Sequence, residues 1–197
     1  MPIGVFLARM QPMHNAHLYV VEKMCKENRR AIIILGSSNK ESMLRNPFPI
    51  ELRIKFLKEA ITTNIGKQYA DKIEVYELPD WTQEGDIQNV KEWGKYLYYN
   101  IVSRIKSKKF GMYFSDTPEI MLNWFDADIQ ARIDFIFMER STIFEGLSAT
   151  KIRQAFEDND LDYIKKYCPP VIVDAFPSLR NAWLRVLKYP INDFSMS

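Results

Sequence analysis

Five consecutive residues, Ala31-Ile32-Ile33-Ile34-Leu35, closed by Gly36, constrain this chain more than any other stretch. The run is short, rich in β-branched side chains and apolar at every position, so as a strand it has no face suited to water. Only a sheet covered on both sides can hold it, which makes it a central strand of a parallel sheet. Residues 3–7, 73–78, 110–114 and 133–138 read as further strands. Helical patterns separate them. Residues 14–28 place Leu18, Val21, Met24 and Cys25 at 3.6-type spacing, and Pro49 opens a helix reaching about residue 64. Over 89–105, Val90, Trp93, Leu97 and Ile101 share one side, and a short helix is expected near 118–125. This alternation predicts an α/β fold, a parallel sheet of about five strands with helices on both faces and right-handed crossovers. From Ser148 onward only helices are expected, over 148–157, 161–167 and 171–187 with an interruption at Pro177. They read as a C-terminal cap on the sheet.

Charge and composition exclude several classes. The 197 residues carry 27 Lys+Arg against 25 Asp+Glu, a net charge of +2, which argues against a dedicated nucleic-acid binder but leaves room for a local phosphate site. Two cysteines, Cys25 and Cys168, are too few for a disulfide framework or a cysteine metal site. The apolar runs are too short to span a bilayer, and residues 1–10 lack the basic region and apolar core of a signal peptide. A cytoplasmic protein with no membrane partner is the expectation. There are only two histidines, His14 and His17.

In open α/β sheets ligands bind outside the carboxyl ends of the strands, so the segments after Leu7, Leu35, Leu78, Phe114 and Met138 are the ones to inspect. The first reads Ala8-Arg9-Met10-Gln11-Pro12-Met13-His14-Asn15-Ala16-His17. His14 and His17, at i and i+3, share a face at a helix start, where open N–H groups and a partial positive charge favour an anion. With Arg9 beside them the natural occupant is a polyphosphate. The bland alternative is a helix cap and a surface histidine. Zinc fits poorly, because no cysteine is near and the His-Glu-x-x-His spacing is absent. A second segment, Leu147-Ser148-Ala149-Thr150-Lys151-Ile152-Arg153, offers a serine N-cap after Gly146, a first-turn threonine, and an arginine one turn on. Alone, it is also what a capped helix with solvated charges looks like.

Taken together, residues 8–17 and 147–153 resemble the nucleotidylyltransferase superfamily, whose members carry His-x-Gly-His early and an Ile-Ser-x-Thr-x-x-Arg-type motif late. More narrowly, Ala8 to His17 looks like the Gly-Arg-Phe-Gln-Pro-Phe-His-x-Gly-His segment of archaeal-type nicotinamide mononucleotide adenylyltransferases. Asn15-Ala16 and Ser148-Ala149-Thr150 are closest to the transferase half of bifunctional enzymes that also carry a Nudix domain, whose own helix motif is not present here. Gly36-Ser37-Ser38-Asn39 followed by Arg45-Asn46-Pro47-Phe48 is a third match, and Ile50-Glu51-Leu52-Arg53 nearly matches a Glu-Arg segment of the family. Ala8 and Ala16 stand where the family has glycines, which narrows the approach of phosphate to backbone.

The resemblance implies a Rossmann-like nucleotidylyltransferase domain over 1–197, with 147–197 as its helical part. It implies His14, His17, Arg9, Arg45 and Arg153 as catalytic residues, and Ala8, Ser148 and Thr150 with Arg9, His14, His17 and Arg153 as the ATP site. Gly36, Ser37, Asn89 and Trp93 would hold the mononucleotide, with Trp81 competing for the stacking role and Ser115-Asp116 near the adenosine. No protein metal ligand is implied; Mg²⁺ would ride on substrate phosphates. The implied reaction transfers AMP from ATP to nicotinamide mononucleotide, and also to nicotinate mononucleotide, giving the dinucleotide and pyrophosphate. A transferase for another phosphate acceptor, a class I aminoacyl-tRNA synthetase fragment and a non-catalytic nucleotide sensor stay open, as does self-association.

Overall fold

The apolar run forms the centre of β2 (Arg30–Gly36), and its alternation serves both faces of the sheet. Ala31, Ile33 and Leu35 enter one buried cluster, and Ile32 and Ile34 enter the other. In this computed structural model, which describes residues 3–80, 90–115, 118–139, 144 and 146–191, β2 lies between β1 (Ile3–Ala8) and β3 (Ile73–Leu78). Two further strands, β4 (Phe110–Phe114) and β5 (Ile133–Phe137), complete five parallel strands in the order β3-β2-β1-β4-β5. Each fully buried aliphatic side chain of β2 contributes about 1.5–3 kcal/mol, enough for this strand alone to select a two-sided sheet.

On one face lie α1 (Asn15–Glu27), α2 (Ile50–Ala60) and the C-terminal helices α7 (Ala149–Glu157), α8 (Leu161–Tyr167), α9 (Pro170–Asp174) and α10 (Phe176–Lys188). Leu147, Ile152, Phe156, Ile172 and Trp183 share one buried cluster with Val21 and Met24 of α1 and Leu57 of α2. On the opposite face pack α4 (Val90–Ile105) and α5 (Pro118–Asn123), through Leu97, Ile101 and Met121. Two short helices, α3 (Lys67–Ala70) and α6 (Ala127–Gln130), precede β3 and β5. No helix among the described residues is long and apolar enough to cross a membrane.

Two helices differ from the pattern-based expectation. The helix after Pro49 is regular only to Ala60 and then widens into a π-turn, Ile61–Ile65. Thr62 and Thr63 donate their hydroxyls to the Lys58 and Glu59 carbonyls at 2.9 Å, a local competition that loosens helices, and Gly66 at φ 107 ends the turn. The C-terminal break falls at Ala175 rather than at Pro177. Pro177 lies in the first turn of α10, where its missing N–H costs nothing.

Candidate active site

The carboxyl end of β1 leads into α1 through a loop that is held from several sides. Met10 adopts φ 52, a left-handed conformation that a non-glycine residue keeps only when its surroundings impose it. Here Met10 and Met13 are buried, and the Gln11 side chain pairs with the Phe48 backbone, accepting from its N–H at 2.9 Å and donating to its carbonyl at 3.0 Å. His14 then caps α1, and His17 returns the contact: its Nδ1 accepts the His14 backbone N–H at 3.2 Å. The two rings stack at 3.8 Å with 19° between their planes. An Nδ1 that accepts leaves the His17 proton on Nε2, so His17 is an Nε2–H donor. The geometry is that of a helix cap, and it leaves the Nε2–H of His17 available as a donor.

Arg53 organises the strand ends from beneath. It is 3% exposed and donates Nη1 to the Arg9 and Gly36 carbonyls, each at 2.9 Å, and Nη2 to the Ser37 carbonyl at 3.0 Å. Burial lowers its pKa to about 10, so it remains a cation at neutral pH. Arg53 entered the sequence reading only within a near-matching segment. The usable signal was its place in α2, in register with Ile50, Leu57 and Ala60 on the buried side, where periodicity calls for an apolar residue.

Arg153 is 9% exposed and similarly tied. Nη1 donates to the Gln11 carbonyl at 2.7 Å, Nη2 to Thr150 Oγ1 at 3.3 Å, and the guanidinium lies 5.3 Å from the Trp183 ring centre. Burial, then the nearby Arg9 and Arg45 charges, lower its pKa to about 10. Two of its N–H groups are thus committed, which leaves the charge and the remaining donors to the pocket. Ser148 is the N-cap of α7, accepting from the Lys151 N–H at 3.3 Å.

These residues converge. A pocket of about 260 Å³ is lined by Ala8, Arg9, Gln11, His14, His17, Arg45, Ser115, Ser148, Thr150 and Arg153 together with Phe6, Leu7, Met10 and Ala149. Three guanidiniums, two imidazoles and three hydroxyl residues face one space, and no carboxylate lines it among the described residues. Other candidates fall elsewhere. Gly36 and Ser37 do not line it: the Gly36 carbonyl is taken by Arg53, and Ser37 Oγ donates to Asp80 at 2.7 Å, tying the loops after β2 and β3 together. The chain turns after Gly36 through a left-handed Ser37, φ 51.

Trp93 is half-buried against the α4 face of the sheet and meets Trp124 edge-on at 5.0 Å. A side chain at position 94 would overlap the Trp124 carbonyl, so Gly94 is what lets α4 approach that closely. It is Trp124, with Met112, Tyr113, Phe114 and Met121, that lines a smaller recess sharing Phe6, Leu7 and Ser115 with the main pocket. Trp124 was missed because it follows a short, weakly periodic helix. Asn89, Trp81 and Asp116 lie outside the described residues. Cys25 and Cys168 are buried, which pushes their thiols up to about 11 and about 12, so both are packing residues and not nucleophiles.

Residues 5–155 match the cytidylyltransferase-like family. The chain belongs to that family. Its members are nucleotidyltransferases, and relatives by sequence carry narrower names. A nicotinamide-nucleotide adenylyltransferase of Pyrobaculum arsenaticum is 25% identical over 181 residues, 91% of this chain and 89% of that one. A nicotinamide/nicotinic acid mononucleotide adenylyltransferase of Acinetobacter baylyi is 26% identical over 160 residues, 80% of this chain and 76% of its own. In fold, the chain is similar to the bifunctional NMN adenylyltransferase/ADP ribose pyrophosphatase of Francisella tularensis, solved with AMP and a manganese ion, with a TM-score of 0.72 at 18% identity. That match covers 95% of this chain and 52% of the Francisella protein, so the chain spans about half the length of that enzyme.

For a cytidylyltransferase-like protein the donor set bears on metal use. Among the described residues no group of three or more His, Cys, Asp or Glu could hold an ion.

Proposed function

We propose that this chain is a nicotinamide-nucleotide adenylyltransferase, transferring AMP from ATP to nicotinamide mononucleotide, and to the nicotinate form, with release of pyrophosphate. The observation that carries the reading is one pocket lined by Arg9, His14, His17, Arg45, Ser148, Thr150 and Arg153, with no carboxylate among the described residues that line it. The names of the sequence relatives support the choice of acceptor.

In this reaction an oxygen of the acceptor phosphate forms a bond to the α-phosphorus of ATP, and the bond from that phosphorus to the bridging oxygen of the β-phosphate breaks. The acceptor's second pKa is about 6, so the nucleophile is already an anion and no general base is needed. What the chain supplies is position and charge. His17 presents Nε2–H to an oxygen of the transferring group. The open N–H groups of the first turn of α1 add to that donor set. Arg153 and Arg45 take the β- and γ-phosphates, and Ser148 and Thr150 line the same side. Magnesium, when bound through phosphate oxygens, neutralises the charge that grows on the leaving pyrophosphate. The acceptor's cationic ring takes the recess beside Ser115, with the Trp124 face as its aromatic wall. A reducing, cytoplasmic setting suits an enzyme of this type whose two cysteines are free and buried.

The test is turnover with ATP and Mg²⁺ across nicotinamide mononucleotide, nicotinate mononucleotide, phosphopantetheine and riboflavin phosphate, reading pyrophosphate and the dinucleotide product. Turnover confined to the pyridine mononucleotides is expected. Activity only with another acceptor would overturn the acceptor assignment and leave nucleotidyl transfer. Tight ATP binding with no turnover on any acceptor would make the protein a sensor.

A further inference from the structure

We propose that Trp183 is a positioning residue for Arg153: it engages the Glu157 carboxylate, which would otherwise pair with the guanidinium, and so keeps that charge turned to the anion pocket. Arg153 and Glu157 stand at i and i+4 on α7, where side chains of opposite charge are neighbours. A direct ion pair between them is the ordinary outcome of such spacing. The structure shows a different arrangement. Trp183, on α10 and 5% exposed, meets both side chains. Its Nε1–H donates to Glu157 Oε1 at 3.0 Å, and the Arg153 guanidinium lies over its ring. Arg153 spends its own donors on the Gln11 carbonyl and the Thr150 hydroxyl. Both of those partners are uncharged, so neither cancels the charge that Arg153 brings to the pocket wall.

Two needs conflict at this arginine. Burial penalises its charged form, and the charges of Arg9 and Arg45 add to the penalty, so the guanidinium calls for compensation. A carboxylate is the strongest compensation available, yet it occupies the N–H fork and offsets the charge that a phosphate is to meet. An indole face attracts the cation more weakly, through the ring quadrupole, and leaves the in-plane N–H groups to other partners. Glu157 still favours the charged form from a distance, while its oxygen is directed to the indole N–H. The platform itself is fixed by packing between the two helices. Phe156 of α7 meets Phe176 of α10 at 5.7 Å between ring centres, and Leu179 is buried beside them. The inference rests on the role given to Arg153 in the anion site above.

Trp183→Phe keeps an aromatic ring and removes the N–H that engages Glu157. Glu157→Gln keeps an acceptor for the indole and removes the competing charge. In a crystal structure of Trp183→Phe, an Arg153 nitrogen is expected within about 4 Å of a Glu157 oxygen, the reach of an ion pair. KM for ATP is expected to rise about 2- to 10-fold, the usual worth of one hydrogen bond, with KM for the mononucleotide little changed. Glu157→Gln alone should stay near the parent. Trp183→Phe combined with Glu157→Gln should recover most of the loss, because no carboxylate remains to draw the guanidinium away. A tryptophan that only packs the helices together predicts no such rescue. An Arg153 that stays apart from Glu157 in Trp183→Phe overturns the proposal, and so does a KM loss that Glu157→Gln fails to repair. If Arg153 turns to Glu157 and ATP kinetics are unaltered, the role given to Arg153 in the anion site fails, and the functional claim for Trp183 fails with it.

Discussion

Replacing His17 separates two duties that the structure assigns to one side chain. His17 accepts the His14 N–H through Nδ1 at 3.2 Å, stacks on the His14 ring, and faces the pocket. His17→Ala removes a hydrogen bond worth about 0.5–1.5 kcal/mol and a ring pair worth about 0.5–1.5 kcal/mol. The summed cost is about 1–3 kcal/mol, or roughly 2–12 °C in the thermal midpoint for a chain of this size. It also removes the Nε2–H donor, which should slow turnover by about 10²–10³. His17→Glu distinguishes the duties. Position 17 is the third residue of α1, where a glutamate completes a capping box and suits the helix dipole. The midpoint should therefore recover most of what His17→Ala loses. Turnover should not recover, because a carboxylate there repels the transferring phosphate. Calorimetry beside a steady-state pyrophosphate assay reads both. A stable, active His17→Glu protein would show that residue 17 caps the helix and does nothing else.

Arg153→Lys should raise KM for ATP by roughly 10- to 150-fold, the loss of one charge-assisted bond, since an ammonium can keep the Gln11 carbonyl but not also span to the phosphates. An effect confined to the mononucleotide KM would place Arg153 at the other end of the site. Trp124→Ala should raise KM for nicotinamide mononucleotide about 2- to 30-fold with little change for ATP, from a cation–π contact of about 0.5–2 kcal/mol. Trp93→Ala should do less, and the reverse ranking would restore Trp93 as the stacking residue. Chelation of divalent cations should abolish turnover and leave the thermal midpoint of the ligand-free protein unmoved; a lowered midpoint would reveal an ion held by the chain itself.

The sheet was legible because its central strand has no polar face, and because the patterns around it alternate strand with helix. That residues 8–17 and 147–153 would meet was legible because both segments sit at helix starts, where backbone chemistry limits what each side chain can do; Arg45 and Ser115 join the same pocket from the loops after β2 and β4. Tertiary ties were harder to read. That Arg153 spends donors on Gln11, or that Ser37 is bound to Asp80, follows from contacts between segments far apart in the chain, which periodicity does not encode. Trp93 was given the stacking role by the family resemblance, yet the close packing at Gly94 turns attention to Trp124, a residue with no periodic pattern to mark it.

The three carbonyls held by Arg53 bear on the charge that this end of the sheet presents. Parallel strands finish with carbonyl oxygens projecting from their carboxyl ends, so the bare rim of β1 and β2 carries the same sign as a phosphate. Arg53 covers the oxygens of Arg9, Gly36 and Ser37, and Arg153 covers that of Gln11. Four negative dipole ends are neutralised before any ligand arrives. Three of those four are covered by Arg53, a cation that does not line the pocket, so most of the rim's own charge is met from behind and the guanidinium and imidazole donors of the lining are left free of that task.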